Sequence, residues 1–248
     1  MNRMFRSRAR MGGNMATLSP HDLYWCWRRL PFAVRDAMKA HGPKLVVAGG
    51  YVRACIANEE VNDIDFFSPS KDVAQTIAES LKKERKIIET DNAFTVLGHT
   101  FPLQFIHRWT FGAPAEVIPS FDFTIARAAF WHDGENFVSM CDDSFYADLA
   151  AKRLVYCSPV REEEAGGSML RVLKFYQRGY RIPLDSLGAV MARMAMKLRW
   201  DEIGGRDAAD TESRAATVLT ALLVEVDPNI DPEHICHLPS AKDAEQSP

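Results

Sequence analysis

Two aspartates separated by a single residue, Asp63-Ile64-Asp65, stand ten positions after an arginine, Arg53, that itself follows a glycine pair, Gly49-Gly50. On a β-strand, side chains alternate across the sheet, so Asp63 and Asp65 share a face with Cα atoms roughly 6.5 Å apart. Carboxylates so placed can hold one hard divalent cation between them. Magnesium suits such oxygen donors when water and phosphate oxygens complete its shell. A two-ion site would need a third carboxylate beside the pair. Gly49-Gly50 closes the apolar run Leu45-Val46-Val47-Ala48 and precedes a helical stretch, a setting in which bare backbone amides can face a phosphate. Arg53, one helical turn on, can add a charge-assisted contact. Separately these signals describe a common turn and a solvated strand edge; their order and spacing join them into one site.

The elements that must hold this site are legible around it. Leu23, Trp27, Leu30, Val34 and Met38 recur at helical spacing and predict one helix over 20–40, despite Pro31, ended by Gly42-Pro43. Strand, turn, helix and strand follow within about 25 residues, ending at Asp63–Phe67. A helix over 71–84 leads to strands at 86–89, 94–97 and 103–107, read as an antiparallel meander. A further pair, 125–130 and 136–140, is joined through His132-Asp133-Gly134. Beyond Asp143 the pattern is helical, over 143–152, 166–179, 184–199 and 207–226. The fold class is α+β: a mixed sheet flanked by helices and followed by a small all-helical part.

With 247 peptide bonds' worth of chain, 248 residues of which 47% are hydrophobic, the protein can build a sizeable core without cross-links. Its five cysteines are scattered, with no CxxC or Cys/His ligand spacing, which points to a reducing, cytoplasmic setting. No apolar run approaches the ~20 residues of a membrane span, so no membrane partner is expected. A net charge of −3 argues against a surface built throughout to coat nucleic acid, while leaving room for a local basic cleft. Four arginines in the first ten residues mark 1–17 as a basic flexible arm. The remaining boundaries are expected at 18–142 for a catalytic head, 143–226 for a helical neck, and 227–248 for a disordered tail.

These residues resemble the bacterial poly(A) polymerase and CCA-adding tRNA nucleotidyltransferase group of the DNA polymerase β superfamily. Val47-Ala48-Gly49-Gly50-Tyr51-Val52-Arg53 with Asp63-Ile64-Asp65-Phe66 is similar to its GG-x-x-R and D-x-D head motif. Ser120-Phe121-Asp122-Phe123-Thr124-Ile125-Ala126-Arg127 is similar to its RRDFTIN motif. Asp148–Leu154 resembles the segment joining head to neck, and Leu170-Arg171-Val172-Leu173-Lys174-Phe175 with Gly179-Tyr180-Arg181-Ile182 the neck. The resemblance covers about 44–183. It implies a polymerase β-type head and a helical neck. Its implied site comprises metal ligands Asp63, Asp65 and Asp122 holding Mg²⁺ in a two-metal arrangement, with Gly49, Gly50, Arg53, Arg127 and Arg171 on the nucleotide. It also implies NTP and an RNA 3′ end, such as that of a tRNA, as partners.

The departures are specific. Ala54 replaces an aspartate, Ser120-Phe121 an arginine pair, and Gly167-Ser168 an acidic pair; Gln104 stands on a strand that often supplies another carboxylate. The same chemistry on a protein or small-molecule acceptor, or a nucleotide-binding regulatory module without turnover, are the competing expectations.

Overall fold

The computed structural model describes residues 15–159 and 165–226, and the chain divides into two compact units, Met1–Arg161 and Glu162–Pro248. Residues 1–14 of the arm expected over 1–17, and the tail expected over 227–248, lie outside the described residues.

In the first unit, helix α1 (Pro20–Arg29) starts on Ser19, whose hydroxyl accepts the Asp22 N–H at 3.1 Å. The single helix expected over 20–40 is two helices. The chain turns extended at Leu30-Pro31 before α2 (Phe32–His41), because a proline inside a helix lacks the N–H and collides with the preceding turn. Gly42, at φ +57°, ends α2.

An eight-stranded mixed sheet forms the centre. Its strands are β1 (Met15–Ala16), β2 (Val46–Ala48), β3 (Ile64–Phe67), β4 (Ile87–Glu89), β5 (Ala93–Val96), β6 (Leu103–Ile106), β7 (Ala128–His132) and β8 (Phe137–Asp142). Their spatial order is β1-β8-β7-β2-β3-β6-β5-β4. Every pairing is antiparallel except β3 with β6, which is parallel. A parallel pair needs a long crossover, and helix α4 (Lys71–Lys82) with the β4–β5 hairpin supplies it. α4 is capped by Ser70 and buries Ala74, Ile77, Ala78 and Leu81.

The first described residues lie within the arm expected over 1–17. Met15 and Ala16 pair with Asp142 and Cys141 as an edge strand. Ile125 and Ala126, expected at the start of a strand over 125–130, lie instead in a single 3₁₀ turn, Thr124–Ala126, and β7 begins at Ala128. Short helices α5 (Pro114–Val117) and α6 (Phe145–Ala150) complete this unit, so α6 belongs with the sheet, although its residues read as part of the helical region.

The second unit contains α7 (Ala165–Gln177), α8 (Leu184–Ala195), α9 (Trp200–Ile203) and α10 (Ala208–Val226). Gly166, Gly167 and Ser168 are buried at the start of α7. A Cβ on Gly166 would meet the Leu222 carbonyl oxygen at 2.7 Å, so small residues here let α10 lie against α7. Among the described residues no helix is long and apolar enough to cross a membrane.

Candidate active site

Strand β3 carries the acidic pair as its alternation requires. Ile64 and Phe66 are buried at 0% and 1% exposure, whereas Asp65, and Asp63 just before the strand, are half-buried on the opposite face. The parallel register sets Gln104 of β6 beside Asp65. Its side-chain amide reaches back along the strand and donates to Asp63 Oδ2 at 2.9 Å. The corner of the site that could have held a third carboxylate thus holds a neutral donor.

Strand β2 runs antiparallel on the other side of β3, with Val46 opposite Phe67 and Val47 opposite Phe66, and so delivers Gly49-Gly50 to the Asp63 end. Gly49 donates its N–H to the Ala128 carbonyl at 3.0 Å and adopts φ +76°, ψ −126°, backbone that only glycine takes readily. Gly50 starts helix α3 (Gly50–Ala57). A Cβ on Gly49 would lie 2.8 Å from Phe121 Cε1. The Phe121 ring is itself held edge-on against Phe67 at 5.7 Å. Two separate sequence motifs therefore meet ring against backbone.

That fit predicts a substitution effect. Gly49→Ala lowers unfolding stability by at least about 2 kcal/mol, from backbone strain plus displacement of a packed ring. Gly50→Ala, whose Cβ would meet only the far end of Arg53 at 4.0 Å, leaves stability unchanged or slightly higher. Urea unfolding of the two variants separates these outcomes.

Helix α3 is anchored from beneath. The Tyr51 hydroxyl donates to the Cys26 carbonyl of α1 at 2.7 Å. A hydrogen bond with Cys55, with burial, holds the Cys26 thiol protonated above its usual range, and the same bond lowers that of Cys55. Arg53, 6% exposed, donates from Nε to Glu59 Oε2 at 3.2 Å, which braces its guanidinium behind the Gly49-Gly50 turn.

Asp122 and Arg127 flank the buried segment that follows Phe121. Asp122 is 1% exposed between two buried phenylalanines, and its carbonyl accepts the Cys157 N–H at 2.7 Å. Among the described residues no group of three or more His, Cys, Asp or Glu side chains is arranged to hold a metal ion. Arg127 points its guanidinium at backbone: Nε donates to the Phe121 carbonyl at 2.9 Å, Nη2 to Pro119 and Cys157 carbonyls at 3.4 Å each, and Nη1 lies 3.7 Å from Asp142. It clamps the segment that presses Phe121 onto Gly49. Arg171 lies on α7, half-buried, in the second unit.

Two arrangements escaped the sequence reading. One is the bond from Gln104 to Asp63. The other is a buried carboxylate, Asp148 on α6, which accepts from Thr124 Oγ1 at 2.6 Å and from Arg153 Nε at 2.8 Å. The spacing Asp148-x4-Arg153 was its signal, in the stretch taken only as a head-to-neck joint.

The family model for the Gabija anti-defense 2 (Gad2) family matches residues 28–152, the stretch that carries the glycine turn, the acidic pair and Asp148. The chain belongs to this family. Among solved structures it is similar to the Thermotoga maritima CCA-adding enzyme complexed with tRNA, at 16% identity and TM-score 0.53, covering 90% of this chain and 59% of that one. A CCA-adding enzyme complexed with ATP is similar at 17% identity and TM-score 0.55, with 90% and 60% covered. A tRNA-processing enzyme with CTP follows at 18% identity and TM-score 0.51, with 79% and 57% covered. The chain thus spans about three fifths of the length of these enzymes. No curated protein matches it. At such identities the likeness is one of fold, and the fold of this Gad2-family chain is the α+β mixed sheet of the CCA-adding nucleotidyltransferases.

Proposed function

We propose that the chain is a Mg²⁺-dependent nucleotidyltransferase that moves a nucleoside monophosphate from an NTP to a hydroxyl acceptor. The observation that carries this reading is the Asp63/Asp65 pair on one sheet face, beside the Gly49-Gly50 turn that β2 delivers to the same end. The donor set fits the ion: two half-buried carboxylates offer hard oxygens with room for water and phosphate oxygens. Magnesium held there supplies positive charge to the reacting phosphate.

The chain's own contributions follow from its geometry. Asp63 and Asp65 would hold the cation beside the α-phosphate; the acceptor hydroxyl gives up its proton to solvent as its oxygen bonds to the α-phosphorus, while the bond from that phosphorus to the oxygen bridging to the β-phosphate breaks and pyrophosphate leaves. The open Gly49-Gly50 backbone and the α3 amides receive triphosphate oxygens. Arg53 adds charge from behind the turn. Arg127 acts through position, by fixing Phe121 and with it the turn.

An RNA 3′ end is the acceptor the fold suggests, since the structures it resembles include complexes with tRNA, ATP and CTP. A second reading takes its support from the family match: the same transfer directed at a component of Gabija defense, a protein hydroxyl included. The test is incubation with Mg²⁺ and each α-labelled NTP in turn, with total cellular RNA in one arm and Gabija proteins in the other. Label in RNA supports the first acceptor and label in polypeptide the second. No label in either arm, with nucleotide binding intact, removes the transferase reading.

A further inference from the structure

The cations of helices α1 and α2 are placed unlike others in the fold. Arg53, Lys71, Arg127 and Arg153 each lie within 4 Å of a carboxylate. Arg28, Arg29, Arg35 and Lys39 have no carboxylate partner among the described residues. Of the two aspartates on these helices, Asp22 is held by the hydroxyls of Ser19 and Tyr146, each at 2.7 Å, and Asp36 is exposed. A chain of net charge −3 thus concentrates unneutralised positive charge on one pair of helices.

These cations sit on aromatic rings. The Arg29 guanidinium lies 5.9 Å from the Trp25 ring centre and also reaches the Cys55 thiol. That of Arg35 lies 4.8 Å from the Trp27 ring centre and 4.1 Å from that of Phe32, so it bridges α1 and α2. Its Nε donates to the Leu30 carbonyl at 3.0 Å, which fixes the guanidinium plane. Trp25 and Arg28 share one face of α1 by their spacing, and Phe32, Arg35 and Lys39 one face of α2. Phe32 is 77% exposed and Trp25 41%. Open rings beside unneutralised cations match a single-stranded nucleic acid, whose bases stack on aromatic side chains while its phosphates take the cations. A duplex hides its base faces, and an acidic polypeptide has none to stack.

We infer that the α1–α2 face binds single-stranded RNA, with bases on Phe32 and Trp25 and phosphates on Arg28, Arg35 and Lys39. Only the choice of RNA over DNA rests on the proposed function, whose phosphate turn opens the helix α3 that Tyr51 ties to α1.

The experiment is fluorescence anisotropy of a labelled, non-self-complementary RNA of about 12 nucleotides, within the span of single-strand binding sites. It uses the full chain over a salt series, without Mg²⁺ or NTP, with melting temperature followed in parallel. Phe32→Ala and Trp25→Ala each weaken binding about tenfold, whereas Phe32→Tyr, which keeps the ring, changes it by about twofold at most. Arg28→Gln/Lys39→Gln weakens it about tenfold at low salt and reduces the salt slope by about 1.4, the release of two phosphate contacts. Lys86→Gln, an exposed cation beside the edge strand β4, leaves the slope unchanged. The RNA duplex binds at least about tenfold more weakly than the single strand.

Ring variants that bind like the unsubstituted chain overturn the stacking, as does polyglutamate that displaces the RNA at equal charge. A duplex that binds as tightly, or no binding at low salt, overturns the inference outright, and a DNA strand that binds more tightly overturns the choice of RNA. No label transfer with these binding effects intact removes the transferase reading alone. Transfer to RNA with binding indifferent to Phe32 and Trp25 removes this inference alone.

Discussion

On the proposed transferase reading, Asp63→Ala/Asp65→Ala lowers nucleotidyl transfer by at least about a thousandfold while leaving the protein folded. The magnitude follows from losing the charge that stabilises the transferring phosphate. That charge contributes several kcal/mol, and each 1.36 kcal/mol is a factor of ten in rate. Each single substitution costs nearly as much as the double, because two ligands of one ion act as a unit and their losses do not add. Stability behaves differently. Both carboxylates are half-buried on the open face of β3, and the buried side chains of that strand, Ile64, Phe66 and Phe67, stay in place. Melting temperature therefore shifts by a few degrees at most, and the stabilisation by Mg²⁺ disappears. Rates with labelled NTP and melting curves with and without Mg²⁺ check both halves; transfer that persists in the double variant would remove these residues from the mechanism.

Arg153→Ala destabilises the first unit by about 2–3 kcal/mol, more than Asp148→Asn does. Asp148 is 1% exposed, and its oxygens are satisfied by the Thr124 hydroxyl at 2.6 Å and by Arg153 Nε and Nη2 at 2.8 and 2.6 Å. Removing the guanidinium strands a buried carboxylate with one neutral partner, which is the costly way to break such a pair. The figure sits below the usual cost for a fully buried pair because the Arg153 side chain is 50% exposed. Asp148→Asn keeps the volume and removes the buried charge, and the half-exposed arginine returns to water. In a unit of this size the arginine variant melts about 4–12 °C lower. The double variant recovers part of the loss, as coupled residues do. Calorimetry of the three variants decides the matter; Asp148→Asn as the worse single change would mean that the charge-assisted hydrogen bonds to Asp148, rather than the cost of stranding its charge, govern the node. Thr124 belongs to the motif that sets Phe121 on Gly49, so the arginine variant should also lower activity near its melting range.

Where the sequence alone was sufficient, the physics was local. Alternation of Ile64 and Phe66 with Asp63 and Asp65 follows from the strand repeat, so the acidic face needed no tertiary information. Val46–Ala48 followed by a glycine pair and α3 was legible for the same reason: an apolar run, a backbone that must turn sharply, and a helix-compatible stretch. The β7–β8 hairpin could be placed because Asp133 and Gly134 have turn chemistry, and Asp133 Oδ1 does accept the Glu135 and Asn136 amides at 3.0 and 2.8 Å. Pro31 shows a local rule outvoted by a pattern. Helical spacing of apolar residues across 20–40 continued through it, yet the missing N–H divided the helix.

Only the tertiary structure decided what depends on residues far apart in the chain. Thr124–Ala126 has strand-like composition but turns, because Arg127 holds the carbonyls of Pro119, Phe121 and Cys157 while Asp148 holds Thr124. Met15 and Ala16 become strand because β8 offers an edge. The burial of Asp122, with Phe121 and Phe123 on either side, is likewise set by the fold and not by its place in a motif. Gln104 bonds Asp63 only because the parallel register of β3 and β6 brings its amide there. A repeat of two or of 3.6 residues is written into any short window of sequence. The register between strands is set by how whole elements pack, so it appears only once the chain has folded.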